Sequence, residues 1–556
     1  MTTLPSSGAV WRWRPVLWVL AVALASACTV EPAVKGDKGD GARASAAVGD
    51  SGDLYRPIFH FTPRRHWMND PNGPVFVAGR YHLFFQHNPG GDVWGNVGWG
   101  HATSLDLVRW EEQPMAIPRL DSAMIFSGSV VIDSNGTSGL CAGPNCLVAV
   151  YTSANDASKV QSQALAFSAD AGTSWQQYRA NPVLDIGSPE FRDPYVFWDR
   201  RSRQWVMAVA MSKEHRVRFF GSPDLRSWTA LSDFGPAGAT GGVWECPVLL
   251  ELPVDGNPDD TRWLLKVDLN PGHVAGGSGG QYFIGHFDGQ GFTPSAQPAA
   301  GAAASGIRWI DYGRDFYCAQ PWTGQRPTDV ATGGGVGAAA APTATPATVW
   351  IGWMNNWAYA ADLPTTPWRG AMTIPRTLEL RSSQQGVQLS QSPVLSLQRL
   401  RGERRSFRFA EQVIADPTPL PPEVWGASVE LQVTISAGAA TEVGLLVRRS
   451  NDEHVLIAFD PARRTIALDR RNVRESRFNA AYPSRSEARL TPGAGAVTLR
   501  IVVDRSSVEL FADEGATVLT SLVFPHPSST GIALYSKGGA VRSVSVDVWP
   551  LRLPAP

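Results

Sequence analysis

Ser222-Pro223-Asp224-Leu225-Arg226-Ser227-Trp228 is a Ser-x-Asp turn that runs into a tryptophan, and the chain makes the same move twice before. The earlier copies are Ser104-Leu105-Asp106-Leu107-Val108-Arg109-Trp110 and Ser168-Ala169-Asp170-Ala171-Gly172-Thr173-Ser174-Trp175. Ser and Asp side chains hydrogen-bond the backbone a few residues ahead, so each copy is a turn with a built-in mechanism. Around the turns recur five apolar runs: Tyr81 to Gln86, Leu147 to Thr152, Gln204 to Met211, Trp263 to Leu269 and Val349 to Met354. Their starts lie roughly 55 to 85 residues apart, a spacing that suits several strands per repeat and predicts the blades of a β-propeller, five of them. The widest gap holds a low-complexity insertion, Gly333 to Ala347, which reads as a surface loop.

Composition agrees with an all-β reading. Gly 54 and Pro 42 make up about 17% of the 556 residues, against a usual level of roughly 12%, which argues against a mostly helical protein. Lys+Arg 49 against Asp+Glu 50 leaves a net charge of -1 with no long basic block, so nucleic acid is not an expected partner. Trp occurs 21 times. Indole faces stack on sugar rings, but most of these residues are expected to fill cores.

The N-terminus reads as a targeting segment. Arg12 and Arg14 precede an apolar run from Pro15 to Ala27 that suits a signal-peptide core and is too short to span a bilayer. The run ends Leu24-Ala25-Ser26-Ala27-Cys28, similar to a lipobox, so either Cys28 is lipidated and anchors an exported protein to a membrane, or cleavage simply follows Ala27. Residues 29–53 read as a tether. Of the remaining cysteines, Cys141 and Cys146 can close a small loop disulfide in an oxidising compartment. No pairing of zinc-type motifs is present, and no metal is expected.

Ahead of each apolar run lies a turn leading into a short strand: Asn69-Asp70-Pro71-Asn72-Gly73, Phe126-Ser127-Gly128-Ser129, Arg192-Asp193-Pro194, Glu245-Cys246-Pro247 and Asp315-Phe316-Tyr317. Each alone could be only a turn. Matching positions of a radial repeat converge on its axis, however, so Asp70, Asp193 and Glu245 are predicted to share one axial funnel. Like charges and apolar neighbours there raise at least one carboxyl pKa. Paired carboxyls of this kind suit glycosidic cleavage, one protonating the leaving oxygen and one attacking the anomeric carbon.

These motifs, with Trp67-Met68-Asn69-Asp70-Pro71-Asn72-Gly73, Phe191-Arg192-Asp193-Pro194, Trp244-Glu245-Cys246-Pro247, Trp353-Met354-Asn355-Asn356-Trp357 and Ser507-Val508-Glu509-Leu510-Phe511, resemble glycoside hydrolase family 32, the β-fructofuranosidases. The resemblance covers about Arg56 to Trp549 and is nearest to the levanases and exo-inulinases of that family. It implies a five-bladed β-propeller catalytic domain (54–384), a linker (385–405) and a C-terminal β-sandwich (406–556). Short alternating strands such as Ser428 to Ile435, Val497 to Asp504 and Gly531 to Ser536 fit that tail independently.

By the same resemblance Asp70 is the nucleophile, Glu245 the acid and base, and Asp193 the transition-state stabiliser, with Arg192 tuning their charges. The implied substrate contacts are Asn69, Gln86, Ser127, Arg192, Asp193 and Asp315, with Trp94, Phe126 and Trp353 as aromatic walls. The implied reaction is retaining release of terminal β-D-fructofuranosyl units from levan, inulin or sucrose, without a cofactor. A fructosyltransferase would use the same acids, while a non-catalytic fructan-binding propeller would be expected to lack one. Cys318 stands where the family pattern usually has Ala, and reads as a buried inert thiol beside the site, or else as one sensitive to thiol reagents.

Overall fold

A computed structural model describes residues 51–553 except 142, 296–305, 325–346, 413–416 and 492–494. The leader, Cys28, nearly all of the tether and the Gly333 to Ala347 insertion lie outside the described residues; the tether's last residues begin a 3-10 turn, Ser51–Tyr55.

The first part of the chain forms five antiparallel blades, each starting on its innermost strand. Those inner strands are His66–Val77, Ala123–Ile132, Phe191–Asp199, Val243–Val254 and Tyr317–Pro321. The second strands, Arg80–Asn88, Leu147–Asn155, Gln204–Met211, Asn257–Asn270 and Thr348–Trp353, contain the apolar runs, the last of which extends one residue beyond its strand to Met354. Side chains alternate faces along a strand, and both faces of each second strand are buried against neighbouring blades. In blade 2, Leu147 and Ala149 pack towards blade 1 beside Phe84 and Trp99, while Val148 and Val150 pack towards blade 3 beside Met207 and Val209. In blade 3, Val206 and Ala208 turn the other way, to Leu265 and Val267 of blade 4. A strand covered on both sides has no polar face to show, which is why these runs are continuously apolar. Each such side chain contributes about 1.5 to 3 kcal/mol on burial. The ring closes where Thr323, just after the inner strand of blade 5, donates its N–H to Pro74 O of blade 1 at 3.0 Å.

The Ser-x-Asp turns join the third and fourth strands of blades 1 to 3. Ser104 Oγ accepts from the Leu107 N–H at 2.8 Å, and Asp106 accepts from the Val108 and Arg109 N–H groups. In the blade 2 and blade 3 copies the tryptophan indole donates back to the turn, Trp175 to Gly172 O and Trp228 to Leu225 O. Blade 4 makes the turn with Asp288 alone, which accepts from the Gln290 and Gly291 N–H groups.

One boundary differs from the sequence reading. Gln388–Pro393, expected within the linker, pairs along its whole length with Arg376–Arg381 as the outer strand of blade 5. Only a short connection is left before Arg405–Gln412 opens a sandwich of two six-stranded sheets, cored by residues such as Leu431, Leu445, Ile457 and Ile501. Propeller and sandwich meet through buried ion pairs. Arg376 reaches Asp311 at 3.0 Å and Glu509 at 2.6 Å, and Arg470 reaches Asp315 at 2.5 Å. Gly313 fits here because a Cβ would lie 2.1 Å from Thr520 O.

Candidate active site

All five inner strands break register at the same height. Two residues stand opposite one: Asn69 and Asp70 across from Gln86, Phe126 and Ser127 across from Thr152, Asp193 and Pro194 across from Val209, Cys246 and Pro247 across from Val267, and Cys318 and Ala319 across from Gly352. Such bulges re-aim side chains and recur beside active sites. Prolines tolerate them because no ladder N–H is needed there. Asp193, Cys246 and Cys318 take left-handed φ angles of 64°, 49° and 50°, a local cost of about 1 to 3 kcal/mol each that the packed surroundings must offset.

The bulges turn Asp70, Asp193, Ser127 and, just before its bulge, Glu245 into one axial cavity of about 410 Å³. Asn69, Gln86, Trp94, Phe126 and Arg192 line the same cavity. Asp70 accepts from Ser127 Oγ at 2.7 Å through Oδ2, while its buried Oδ1 has no partner. Asp193 accepts the Cys246 N–H at 3.0 Å. Arg192 donates to Glu245 Oε1 at 3.0 Å, Glu190 Oε2 at 2.8 Å and Gln161 Oε1 at 3.2 Å. The Tyr317 hydroxyl donates to the other oxygen of Glu245. Trp67 Nε1 holds Asn69 Oδ1 at 2.7 Å, fixing that side chain at the cavity floor.

Burial first, and then the charge of Asp193, push the Asp70 carboxyl up to about 7, although the hydrogen bond from Ser127 pulls it back. Burial and the charge of Glu245 raise Asp193 to about 6 against the opposing pull of Arg192. Two carboxyls thus hold protons far more strongly than free aspartate, which is what like charges in a desolvated pocket require. Trp94 is 44% exposed, with Phe126 at 5.9 Å between ring centroids, so an indole face stands at the rim.

Two of the residues read from the sequence lie elsewhere. Asp315 is fully buried at the propeller–sandwich junction, ion-paired with Arg470 and accepting the Leu522 N–H at 2.8 Å. It precedes the inner strand of blade 5, and the residue of that strand that reaches the site is Tyr317, through its hydrogen bond to Glu245. Trp353 is 0% exposed and sits behind the wall, packed on Trp67, Tyr317 and Trp357. Trp357 supplies the aromatic surface on that side. Gln161, Glu190 and Asn270 also line the cavity and were not singled out. Glu190 had a readable signal, since it stands two residues before Arg192 and ion-pairs with both Arg192 and Lys213.

One cysteine pair differs from expectation, while the Cys141–Cys146 loop disulfide is formed as expected. Cys318 is not a thiol, because it is disulfide-bonded to Cys246 of the adjacent blade. Cys141 and Cys146 form the second disulfide. Asp70 and the sulfurs of Cys246 and Cys318 lie within ligand distance of one another, but two sulfurs joined to each other offer no thiolate to a metal.

Family models match this architecture in two consecutive parts. The model described as "Glycosyl hydrolases family 32 N-terminal domain" matches residues 60–393, and "Glycosyl hydrolases family 32 C terminal" matches 396–550. The chain belongs to glycosyl hydrolase family 32. Among its relatives, a levanase of Bacillus subtilis is 41% identical over 90% of this chain and 70% of its own length. An extracellular exo-inulinase of Aspergillus awamori is 38% identical over 89% of this chain and 94% of its own. The crystal structure of exo-inulinase from Aspergillus awamori superposes with a TM-score of 0.81 at 37% identity, covering 89% of this chain and 98% of that one. A β-fructofuranosidase from Schwanniomyces occidentalis, complexed with fructosyl-erythritol, gives 0.78 at 31% identity, covering 91% and 99%. The family 32 protein described above is therefore a glycoside hydrolase built as a β-propeller followed by a β-sandwich.

Proposed function

We propose that this enzyme removes terminal β-D-fructofuranosyl units from fructans and from sucrose by a retaining, double-displacement mechanism. The observation that carries the reading is the convergence of Asp70, Asp193 and Glu245, from three different bulges, on one small cavity. Asp70 attacks the anomeric C2 through the oxygen that lacks a protein partner, while Ser127 keeps the other oxygen in place. Glu245 gives its proton to the departing glycosidic oxygen, leaving a fructosyl ester on Asp70. The Glu245 carboxylate then takes a proton from water, the water oxygen attacks C2, and the ester bond to Asp70 breaks. Two inversions give net retention. Asp193 holds sugar hydroxyls through the oxocarbenium-like transition state, with Asn69 and Gln86 as further polar contacts and Trp94, Phe126 and Trp357 as aromatic wall. These are groups of the chain itself, and the reading calls on no cofactor. The names of the levanase and exo-inulinase relatives support a fructan substrate.

The leader-like segment, together with a relative named as extracellular, supports export. We propose the same location here, with Cys28 as the anchoring residue if it is lipidated. No helix among the described residues is long and apolar enough to cross a membrane.

Chromatography of products from levan, inulin and sucrose tests the reading. Fructose as the sole early product from both polymers is the expected result. Oligofructosides would mean internal cleavage, longer saccharides from sucrose would mean transfer, and no release from any of the three would overturn the substrate class.

A further inference from the structure

The chain carries a covalent tie at the base of its active site that the proposed reaction does not use. Cys246 follows Glu245, and Cys318 follows Tyr317, so the disulfide joins the residues immediately after the two partners of the Tyr317–Glu245 hydrogen bond. Both cysteines are buried, both open the two-residue side of their bulges, and both are in the left-handed region. Without a restraint, a non-glycine residue there relaxes towards ordinary strand angles and carries its neighbour's side chain with it. The Cys246 N–H holds Asp193, and Cys246 Sγ lies 3.9 Å from Asp70 Oδ2, so a shift in this bulge would reach all three acids. A second tie spans the same two strands from below: buried Lys266 donates to Cys246 O at 3.0 Å and to Ala319 O at 3.1 Å.

We propose that the Cys246–Cys318 disulfide is a positioning device that pins the inner strands of blades 4 and 5 together and holds Glu245 and Tyr317 in register with Asp70. It acts through Glu245 and touches no substrate. Its oxidised form suits an exported protein, and reduction by a small dithiol would move two electrons and two protons to the cysteines while the dithiol becomes its own disulfide. The inference rests on the acid–base reading of Glu245, so the experiment separates the two.

Cys318→Ala restores the side chain the family pattern usually has and removes the tie with little loss of volume. The control is Cys141→Ser with Cys146→Ser, which removes only the distant loop disulfide. With sucrose as substrate, Cys318→Ala is expected to lower kcat by about tenfold or more, as small misplacements of a catalytic group do, with KM changed less than twofold. The control should retain wild-type kcat and KM. Peptide mapping of the unreduced wild type should recover Cys246 and Cys318 linked. Recovery of the two as free thiols overturns the proposal. So does a Cys318→Ala variant with wild-type kcat, even with a lowered Tm, since that would mark the tie as structural only. Glu245→Gln in the same assay decides the underlying reading: if it keeps wild-type turnover, the role of Glu245 is wrong; if it is inactive while Cys318→Ala is unaffected, only the positioning claim fails.

Discussion

Two buried clusters of acids lie in this molecule, and they are built in opposite ways. At the propeller–sandwich junction Asp311, Asp315, Asp504 and Glu509 each have a cationic partner in Arg376, Arg470 or His60. In the axial cavity Asp70 faces the charges of Asp193 and Glu245, and Asp193 faces that of Glu245 with Arg192 and Lys266 as the opposing cations. Burial pushes Asp70, Asp504 and Glu509 up alike, and in these three the partner decides whether the rise survives. Asp504 and Glu509 end below their ordinary range because His60 and Arg376 outweigh burial, whereas Asp70 ends near 7. A satisfied cluster stabilises an interface, and a frustrated one holds chemistry ready at a cost in stability.

Asp70→Asn should break this contrast most visibly. Turnover of sucrose is expected to fall by about 10⁴-fold or more, while Tm rises at neutral pH by about 2 °C or more. Asp70 is held protonated to higher pH in the folded protein than in the unfolded chain, so the native state is penalised once pH climbs from the ordinary aspartate value towards 7. Asn removes that penalty. A parallel loss of activity and Tm would mean that the cavity acids are structural.

Arg376→Ala attacks the other cluster. Leaving Asp311 and Glu509 buried without their cation should destabilise the fold by about 3 to 5 kcal/mol, read as a lower denaturation midpoint. Protein that remains folded should keep nearly its full kcat.

A smaller effect is expected from Ser127→Ala. Its hydroxyl lowers the proton affinity of Asp70, so losing it should move the acid limb of kcat/KM to higher pH and reduce kcat by about tenfold. A limb that stays in place would assign the acid limb to another group.

His60→Gln sharpens the interface side. Burial alone would lower the His60 pKa, but hydrogen bonds to Asp504 and Glu509 outweigh it and raise it from 6.5 to about 9. The resulting stabilisation is complete below 6.5 and is lost as pH rises towards 9. The variant should lose about 1 to 3 kcal/mol at pH 6, and its stability should vary less across that window. An unchanged slope would remove His60 from the account.

The same contrast explains what could be read from sequence. The blades were legible because a strand buried on both faces must be continuously apolar, and the three acids because they stand at equivalent places ahead of those strands. Asp315 also stands ahead of an inner strand, but it turns towards Arg470 instead of the axis, and chain position carries no information about facing. Trp353 was legible as an aromatic near the site but not as one covered by Trp357. Cys246 and Cys318 are 72 residues apart, and only the equivalence of their blades brings them together. Gln161 opens the third strand of blade 2 and Asn270 ends the second strand of blade 4, with no motif to mark them.

The central claim is that Asp70 becomes esterified during turnover. Rapid quenching of Glu245→Ala with an activated aryl β-D-fructofuranoside, followed by peptide mapping by mass spectrometry, tests it directly, because the missing base should let the ester accumulate. The account predicts one added fructosyl unit on the peptide containing Asp70, and none when Asp70 is also changed to Asn. A fructosyl unit on any other residue, or its persistence in the double variant, would contradict it.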